Sequence, residues 1–185
     1  MNSKKKYLLK VVILGDAGWA NDIIPFFLKS RVGKSSLLNQ YVKKEFSLEY
    51  KSTKGVDFLT NEVIVEDYVV QLQLWDTAGS ERFHSMGCSF YRNTECCVLV
   101  FDLTNQKSFE SIENWRKEFL DMLNPKDPET FPFVLLGNKC DNEIERKVQE
   151  SEIKKYCESK SNISYFETSA KDNTNVEAAF EKFLN

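Results

Sequence analysis

The sequence predicts an α/β domain: a mixed, mostly parallel six-stranded sheet with helices on both faces and one antiparallel hairpin. Three observations carry this. Strand-like and helix-like stretches alternate along the chain, the βαβ pattern from which parallel sheets are built. Residues 95–103 and 131–136 are almost continuously apolar, as strands covered on both faces are. Residues 56–65 and 68–75 are two β-rich runs joined at Glu66-Asp67, the signature of a hairpin.

Taken in order, residues 7–14 are rich in Val, Ile and Leu and break at Gly15-Asp16, which makes them the first strand. The start, MNSKKKYLLKVVILG, is basic then apolar like a short signal peptide, but it ends in Gly-Asp without a small-residue cleavage site. Residues 34–44 carry Leu37, Leu38, Tyr41 and Val42 at helical spacing. After the hairpin and the run 95–103, Phe109, Ile112, Trp115, Phe119 and Leu120 mark an amphipathic helix with Ser108 as its cap. Residues 151–158 and 175–183 read as two further helices, with a short strand at 164–166 between them. There is no repeat, low-complexity tract or linker, so residues 1–185 read as one domain.

Composition narrows the function classes. A chain of 185 residues with 42% hydrophobic and 13% aromatic content is long and apolar enough to bury a core. A net charge of −3 argues against a broadly basic nucleic-acid surface, so no nucleic-acid partner is expected. No apolar run approaches the roughly 18–20 residues of a membrane span. Cys88, Cys96, Cys97, Cys140 and Cys157 are odd in number and lack metal-ligand spacing. Cys96 and Cys97 lie in the apolar run CCVLVF, where buried free thiols fit better than disulfides. A reduced, soluble, cytosolic monomer is the expectation.

The chemistry lies at strand ends, where open α/β sheets bind their ligands. Gly15-Asp16-Ala17-Gly18 closes the first strand and Val32-Gly33-Lys34-Ser35-Ser36 opens a helix. Joined, they read GDAG–VGKS, which satisfies the phosphate-loop pattern of two glycines four residues apart before Lys-Ser. Successive backbone N–H groups and a helix N-terminus would surround phosphates, Lys34 would reach the β/γ oxygens, and Ser35 would ligate Mg²⁺. Residues 19–31 (WANDIIPFFLKSR) interrupt the pattern as an insertion within the loop. Ile23, Ile24, Phe26, Phe27 and Leu28 form an apolar cluster that a solvent-facing phosphate site does not need. The segment is either a translated intron or a native loop. Closing such an excursion costs about 2 kcal/mol, whereas losing three charge-assisted bonds to phosphate costs roughly 5–9 kcal/mol. Whether Gly18 and Val32 are held adjacent therefore decides between weakened and abolished binding.

Three more motifs follow apolar strands. In Asp76-Thr77-Ala78-Gly79 the Asp is placed to hold Mg²⁺ through water and the Gly79 amide to face a γ-phosphate. In Asn138-Lys139-Cys140-Asp141 the Asp141 carboxylate can accept from N1–H and the 2-amino group of guanine, a donor pair that adenine lacks. In Thr168-Ser169-Ala170-Lys171 the Ala170 amide can donate to the guanine O6. Four such motifs in this order make a polar turn at each strand end a poor explanation.

From residue 7 to residue 184, leaving out the insertion, the chain resembles a small GTPase of the Rab family. Phe46 to Thr53 resembles the first switch, which implies Phe46 against the guanine ring and Thr53 as the second Mg²⁺ hydroxyl. Gly55-Val56-Asp57-Phe58 and Trp75-Asp76-Thr77-Ala78-Gly79 are Rab-type signatures, and Phe58, Trp75 and Phe90 match the aromatic triad through which Rabs meet effectors. The segments FLTNEV, FYR, CCVLVFDLT, DPETFPFVLLGNK and YFETSAKD most resemble late-endosomal members, which serve transport to lysosomes or retrieval toward the Golgi. The resemblance implies the small-GTPase phosphate-loop fold, GTP/GDP and Mg²⁺ as ligands, and exchange factors, GTPase-activating proteins and effectors as partners. It also implies the cytosolic face of endosomal membranes as the place of action, reached through a prenylated C-terminal tail.

The sequence departs from the family in three places. Ser80 stands where the family has the glutamine that orients the attacking water, and a serine is too short to do so, which implies slow intrinsic hydrolysis around Ser80, Lys34 and Gly79. Lys54 replaces an apolar effector contact with a charge. The sequence stops at Asn185, before the terminal cysteines that Rabs prenylate, and Cys157 falls inside a helix and is no substitute. His84, in the second switch, is expected to face solvent without a catalytic role. Three readings remain: a GTP switch, a binding module held long in the GTP form by Ser80, and a product whose interrupted loop binds no nucleotide.

Overall fold

The computed structural model describes residues 5–16, 31–48, 53, 56–77, 88–161 and 163–184. Its strands are β1 (Lys5–Leu14), β2 (Val56–Val65), β3 (Tyr68–Thr77), β4 (Cys96–Asp102), β5 (Phe133–Asn138) and β6 (Ser164–Thr168). They form one sheet in the order β2-β3-β1-β4-β5-β6, with β2 antiparallel to β3 and every other pairing parallel. The hairpin turns at Glu66-Asp67, as its sequence requires, with Glu66 in the left-handed region at φ 51°.

Helices cover both faces. The period-two alternation of the strands sends Val11, Ile13, Leu72, Leu74, Val98, Val100, Val134 and Leu136 to one side. There they meet Leu37, Leu38 and Tyr41 of α1 (Lys34–Lys43) and Val176, Ala179 and Phe180 of α6 (Val176–Phe180), with Tyr41 and Phe180 stacked at 4.9 Å. Val12, Leu14, Cys97, Leu99, Phe101, Phe133 and Leu135 face the other way. They pack against Ile112, Trp115 and Phe119 of α4 (Ile112–Leu123) and Ile153 and Cys157 of α5 (Glu150–Glu158). Each fully buried Leu or Phe of these layers contributes about 1.5–3 kcal/mol. Every residue of β4 and β5 is buried, which explains their unbroken apolar sequences.

Short helices α2 (Cys88–Tyr91) and α3 (Gln106–Glu110) complete the set. The helix expected behind Ser108 is two helices, and its cap is Asn105, whose Oδ1 accepts the Lys107 N–H at 3.1 Å. Ser108 is 1% exposed and spends its hydroxyl on Asn105 O at 2.7 Å, inside the first turn. Residues 175–183 divide likewise into α6 and a 3-10 turn, Glu181–Leu184. Cys96, Cys97 and Cys157 are buried free thiols, and burial pushes Cys96 up to about 12, far from a reactive thiolate. Among the described residues no helix is long and apolar enough to cross a membrane.

Candidate functional site

The parallel register brings the carboxyl ends of β1, β3, β4, β5 and β6 to one edge. Ile13 pairs with Asp76, and Asp102, Asn138 and Thr168 form a transverse row across β4, β5 and β6. All four sequence motifs start from this edge.

At the end of β1 the chain comes within contact of the start of α1. The Val32 N–H donates to the Asp16 carbonyl at 3.5 Å, and the Lys34 ammonium donates to the Gly15 carbonyl at 2.5 Å. Trp115 Nε1 in α4 donates to Asp16 Oδ1 at 2.8 Å, and Asn138 Nδ2 donates to the Val32 carbonyl at 2.8 Å. Gly15 has φ 146°, and a Cβ there would lie 2.1 Å from Val100 O; Gly33 has φ 92°, and a Cβ there would lie 2.4 Å from Asn138 Nδ2. Neither position admits a side chain. Gly33 caps α1 without a side-chain hydrogen bond, which leaves first-turn N–H groups, with half-buried Ser35 and Ser36, available to an anion. Lys34 is 6% exposed; burial lowers its pKa to about 8, against the opposing pull of Asp76 and Asp16. Ala17, Gly18 and residues 19–30 lie outside the described residues.

The bond from Val32 to Asp16 has a particular meaning. Without residues 19–31, Asp16-Ala17-Gly18-Val32 would be four consecutive residues, and this N–H···O=C contact would close a β-turn from i to i+3. Asp16 and Val32 thus lie within reach of one another, as residues i and i+3 of an uninterrupted loop would.

Next to Lys34, Ser35 Oγ, Thr53 Oγ1 and the Asp76 carboxylate converge. Ser35 and Thr53 hydroxyls lie 2.9 Å apart, Thr53 Oγ1 donates to Asp76 Oδ2 at 3.2 Å, and Ser35 Oγ donates to the same oxygen. Asp76 is 2% exposed, and among the described residues its Oδ1 is buried with no hydrogen-bond partner. Burial raises its pKa, while the Ser35 hydroxyl, the Lys34 ammonium and the Thr53 hydroxyl draw it down. A buried carboxylate with an orphaned oxygen, flanked by two hydroxyls, is a hard all-oxygen donor set of the kind that suits Mg²⁺. Thr77 holds the strand end in place, its hydroxyl donating to Ile13 O at 2.7 Å. Gly79, Ser80, Lys54 and His84 lie outside the described residues.

The third group sits after β5 and β6. Asn138, 2% exposed, accepts at Oδ1 from the Ala170 N–H at 3.3 Å and the Thr168 hydroxyl at 3.5 Å, so one amide joins the phosphate-loop end to the last motif. Asp141 Oδ1 accepts from Ser169 Oγ at 2.7 Å and its Oδ2 lies 3.7 Å from Lys171 Nζ. Ser169 Oγ also accepts the Asp172 N–H at 3.0 Å, which fixes the loop that carries Ala170. Lys139 adopts φ 67° and its ammonium lies 2.6 Å from Asp102 Oδ2. Phe46 is 38% exposed on the segment after α1.

Phe58, Trp75 and Phe90 form one contiguous set: Trp75 meets Phe58 edge-on at 5.0 Å and Phe90 edge-on at 5.5 Å. Phe58 is 42% exposed and the other two are half-buried, so the triad is a surface feature rather than core. Lys10 supports it, with Nζ 4.7 Å over the Trp75 ring and donating to Phe90 O and, at 3.0 Å, to Arg92 O.

Sequence reasoning does not single out Lys10, Asp102 or Thr77 and reads Trp115 only as helix core. Asp102 alone carries a local signal, a carboxylate that ends an otherwise apolar strand.

The Ras family profile matches residues 27–185. The chain is 54% identical to the Ras-related protein Rab-7a of Paramecium octaurelia over 98% of this chain and 82% of the relative. Identity is also 54% with the Ypt/Rab-type GTPase ypt7 of Schizosaccharomyces pombe, over 98% of this chain and 82% of the relative. Against the Ras-related protein Rab-7a of Dictyostelium discoideum it is again 54%, over 98% of this chain and 83% of the relative.

Proposed function

This chain belongs to the Ras family, within its Rab7-like group of small GTPases, and we propose how its own residues carry the guanine-nucleotide switch. Members of this group bind GTP and GDP with Mg²⁺, hydrolyse GTP and regulate endosomal traffic through regulators and effectors. The chain is a small GTPase of this kind, associated with late endosomes.

Phosphates bind at the N-terminus of α1, beside the backbone of Gly15, Asp16, Val32 and Gly33 and the ammonium of Lys34, and the motif assigns Ala17 and Gly18 to the same role. Ser35, Thr53 and Asp76 would hold Mg²⁺, which would supply charge neutralisation to the phosphates. At the other end Asp141 accepts from guanine N1–H and the 2-amino group, Ser169 and Lys171 hold its carboxylate, and Ala170 donates to O6. Asn138 links the two ends. Thr53, which lies before β2, brings its hydroxyl to Ser35 and Asp76, so the first switch is coupled to what the site contains. The Phe58, Trp75 and Phe90 surface, continuous with that segment through β2 and β3, then meets effectors.

The observation that carries this reading is the Val32–Asp16 bond. It holds Val32 beside Asp16, which supports weakened binding over abolished binding. Residues 19–31 are an insertion within the phosphate loop. Ser80 stands where the family has the glutamine that orients the attacking water, and a serine is too short for that task, so intrinsic hydrolysis is slow. The GTP form is therefore long-lived. The test is the nucleotide content of the purified protein, released by acid and separated by chromatography: stoichiometric GTP or GDP supports the reading, and an empty protein that takes up neither with Mg²⁺ refutes it.

A further inference from the structure

Asp102 ends β4 and pairs in register with Asn138, so the parallel sheet sets its carboxylate beside the residue that follows, Lys139. The carboxylate is 2% exposed. Its Oδ1 accepts from the Thr104 N–H at 2.8 Å and the Thr104 hydroxyl at 2.7 Å, which orients the group and leaves Oδ2 aimed at the Lys139 ammonium at 2.6 Å. Lys139 is 39% exposed and adopts a left-handed φ of 67°, a conformation that costs a lysine and that the Asp102 contact helps to hold.

We propose that Asp102 is a positioning residue for guanine-nucleotide retention, acting by fixing the Lys139 side chain before nucleotide arrives. A lysine stem has large rotamer freedom, and any contact it makes with a ligand must first remove that freedom. A buried carboxylate already oriented by Thr104 removes it in advance, and a preorganised site releases its ligand more slowly. The inference rests on the guanine-nucleotide reading above and extends it to a residue on a different strand from the motif it serves.

The test is a double-mutant cycle on the full chain, read as dissociation of fluorescently labelled GDP into excess unlabelled GDP. Asp102→Asn keeps an oxygen for Thr104 and removes the charge that holds Lys139. It is expected to accelerate release about tenfold, and in a Lys139→Met background it is expected to add less than twofold. A parental rate in Asp102→Asn, or equal acceleration in both backgrounds, overturns the proposal, the second outcome by placing the effect in the Thr104 turn. A second readout needs no nucleotide: the slowly exchanging Lys139 ammonium resonance in nitrogen-15 NMR, assigned by its loss in Lys139→Met. It should be present in the parent and lost in Asp102→Asn, and its absence from the parent overturns the pairing. Parent protein without guanine nucleotide refutes the functional reading instead, and a persisting ammonium resonance tells that failure apart from this one.

Discussion

Deleting residues 19–31 should strengthen GTP binding by about ten- to thirtyfold. The magnitude comes from how the ends of the excursion are held. Four contacts pin them: Val32 N–H to Asp16 O at 3.5 Å, Trp115 Nε1 to Asp16 Oδ1 at 2.8 Å, Asn138 Nδ2 to Val32 O at 2.8 Å, and Lys34 Nζ to Gly15 O at 2.5 Å. The Val32–Asp16 contact is at the long limit of a hydrogen bond, so nucleotide must still tighten the loop, and what the deletion recovers is chiefly the closure entropy of the extra segment at that step, about 2 kcal/mol. At about 1.4 kcal/mol per tenfold change this is the stated range. Had the loop come apart, the loss would be several charge-assisted bonds to phosphate, roughly 5–9 kcal/mol, and the parent would bind with more than a thousandfold deficit. Titration of labelled GTP with Mg²⁺ into both forms, monitored by fluorescence, separates the cases. Equal affinities would show that the segment is a tolerated native loop. A deficit above a thousandfold would show that the pinned ends do not preserve the turn.

Ser80→Gln should raise the single-turnover rate of intrinsic GTP hydrolysis, and an unchanged rate with nucleotide bound would remove Ser80 as the limiting residue. Asp141→Asn should lose selectivity for GTP over ATP, because a carboxylate that accepts twice becomes an amide that mismatches one donor; competition of GTP and ATP for a labelled nucleotide reads this. Arg146 forms a bidentate pair with Glu167 at 2.8 and 2.6 Å, and these bonds hold the Glu167 carboxyl below the usual glutamate range. A depressed folded pKa stabilises the fold above the unfolded value, roughly 4.3, and that contribution is lost as pH falls through the folded value. Arg146→Gln should therefore lower Tm at neutral pH and flatten its decline between about pH 5 and 3, and a parallel decline in both proteins would contradict the pairing.

Much of the fold was legible because the strands obey one local rule. Runs such as CCVLVF are apolar on both faces, and the helices α1, α4 and α5 keep apolar residues at helical spacing. Strand ends were read short for a physical reason. The ladder continues through Asp76-Thr77 and through Asn138, where side chains turn polar to serve the site while backbone pairing persists. The Ser108 cap failed because two polar residues compete there, and Asn105 stands at the true start while Ser108 is buried within the turn. The four motifs announced the site, yet the contacts that organise it were not legible. Trp115 reaches Asp16 and Asn138 reaches Val32 across about a hundred residues of sequence, and no local pattern in the chain records such a pairing.

The proposed function requires a guanine-selective, Mg²⁺-dependent nucleotide site formed by Lys34, Ser35, Thr53, Asp76, Asn138 and Asp141. Calorimetric titration of the nucleotide-stripped, unmodified protein with GTP and with ATP, each with and without Mg²⁺, tests it most directly. The account predicts GTP binding at least a hundredfold tighter than ATP, about 2.8 kcal/mol or more, and markedly weaker binding when Mg²⁺ is removed. Equal affinity for GTP and ATP, or affinity indifferent to Mg²⁺, would contradict it.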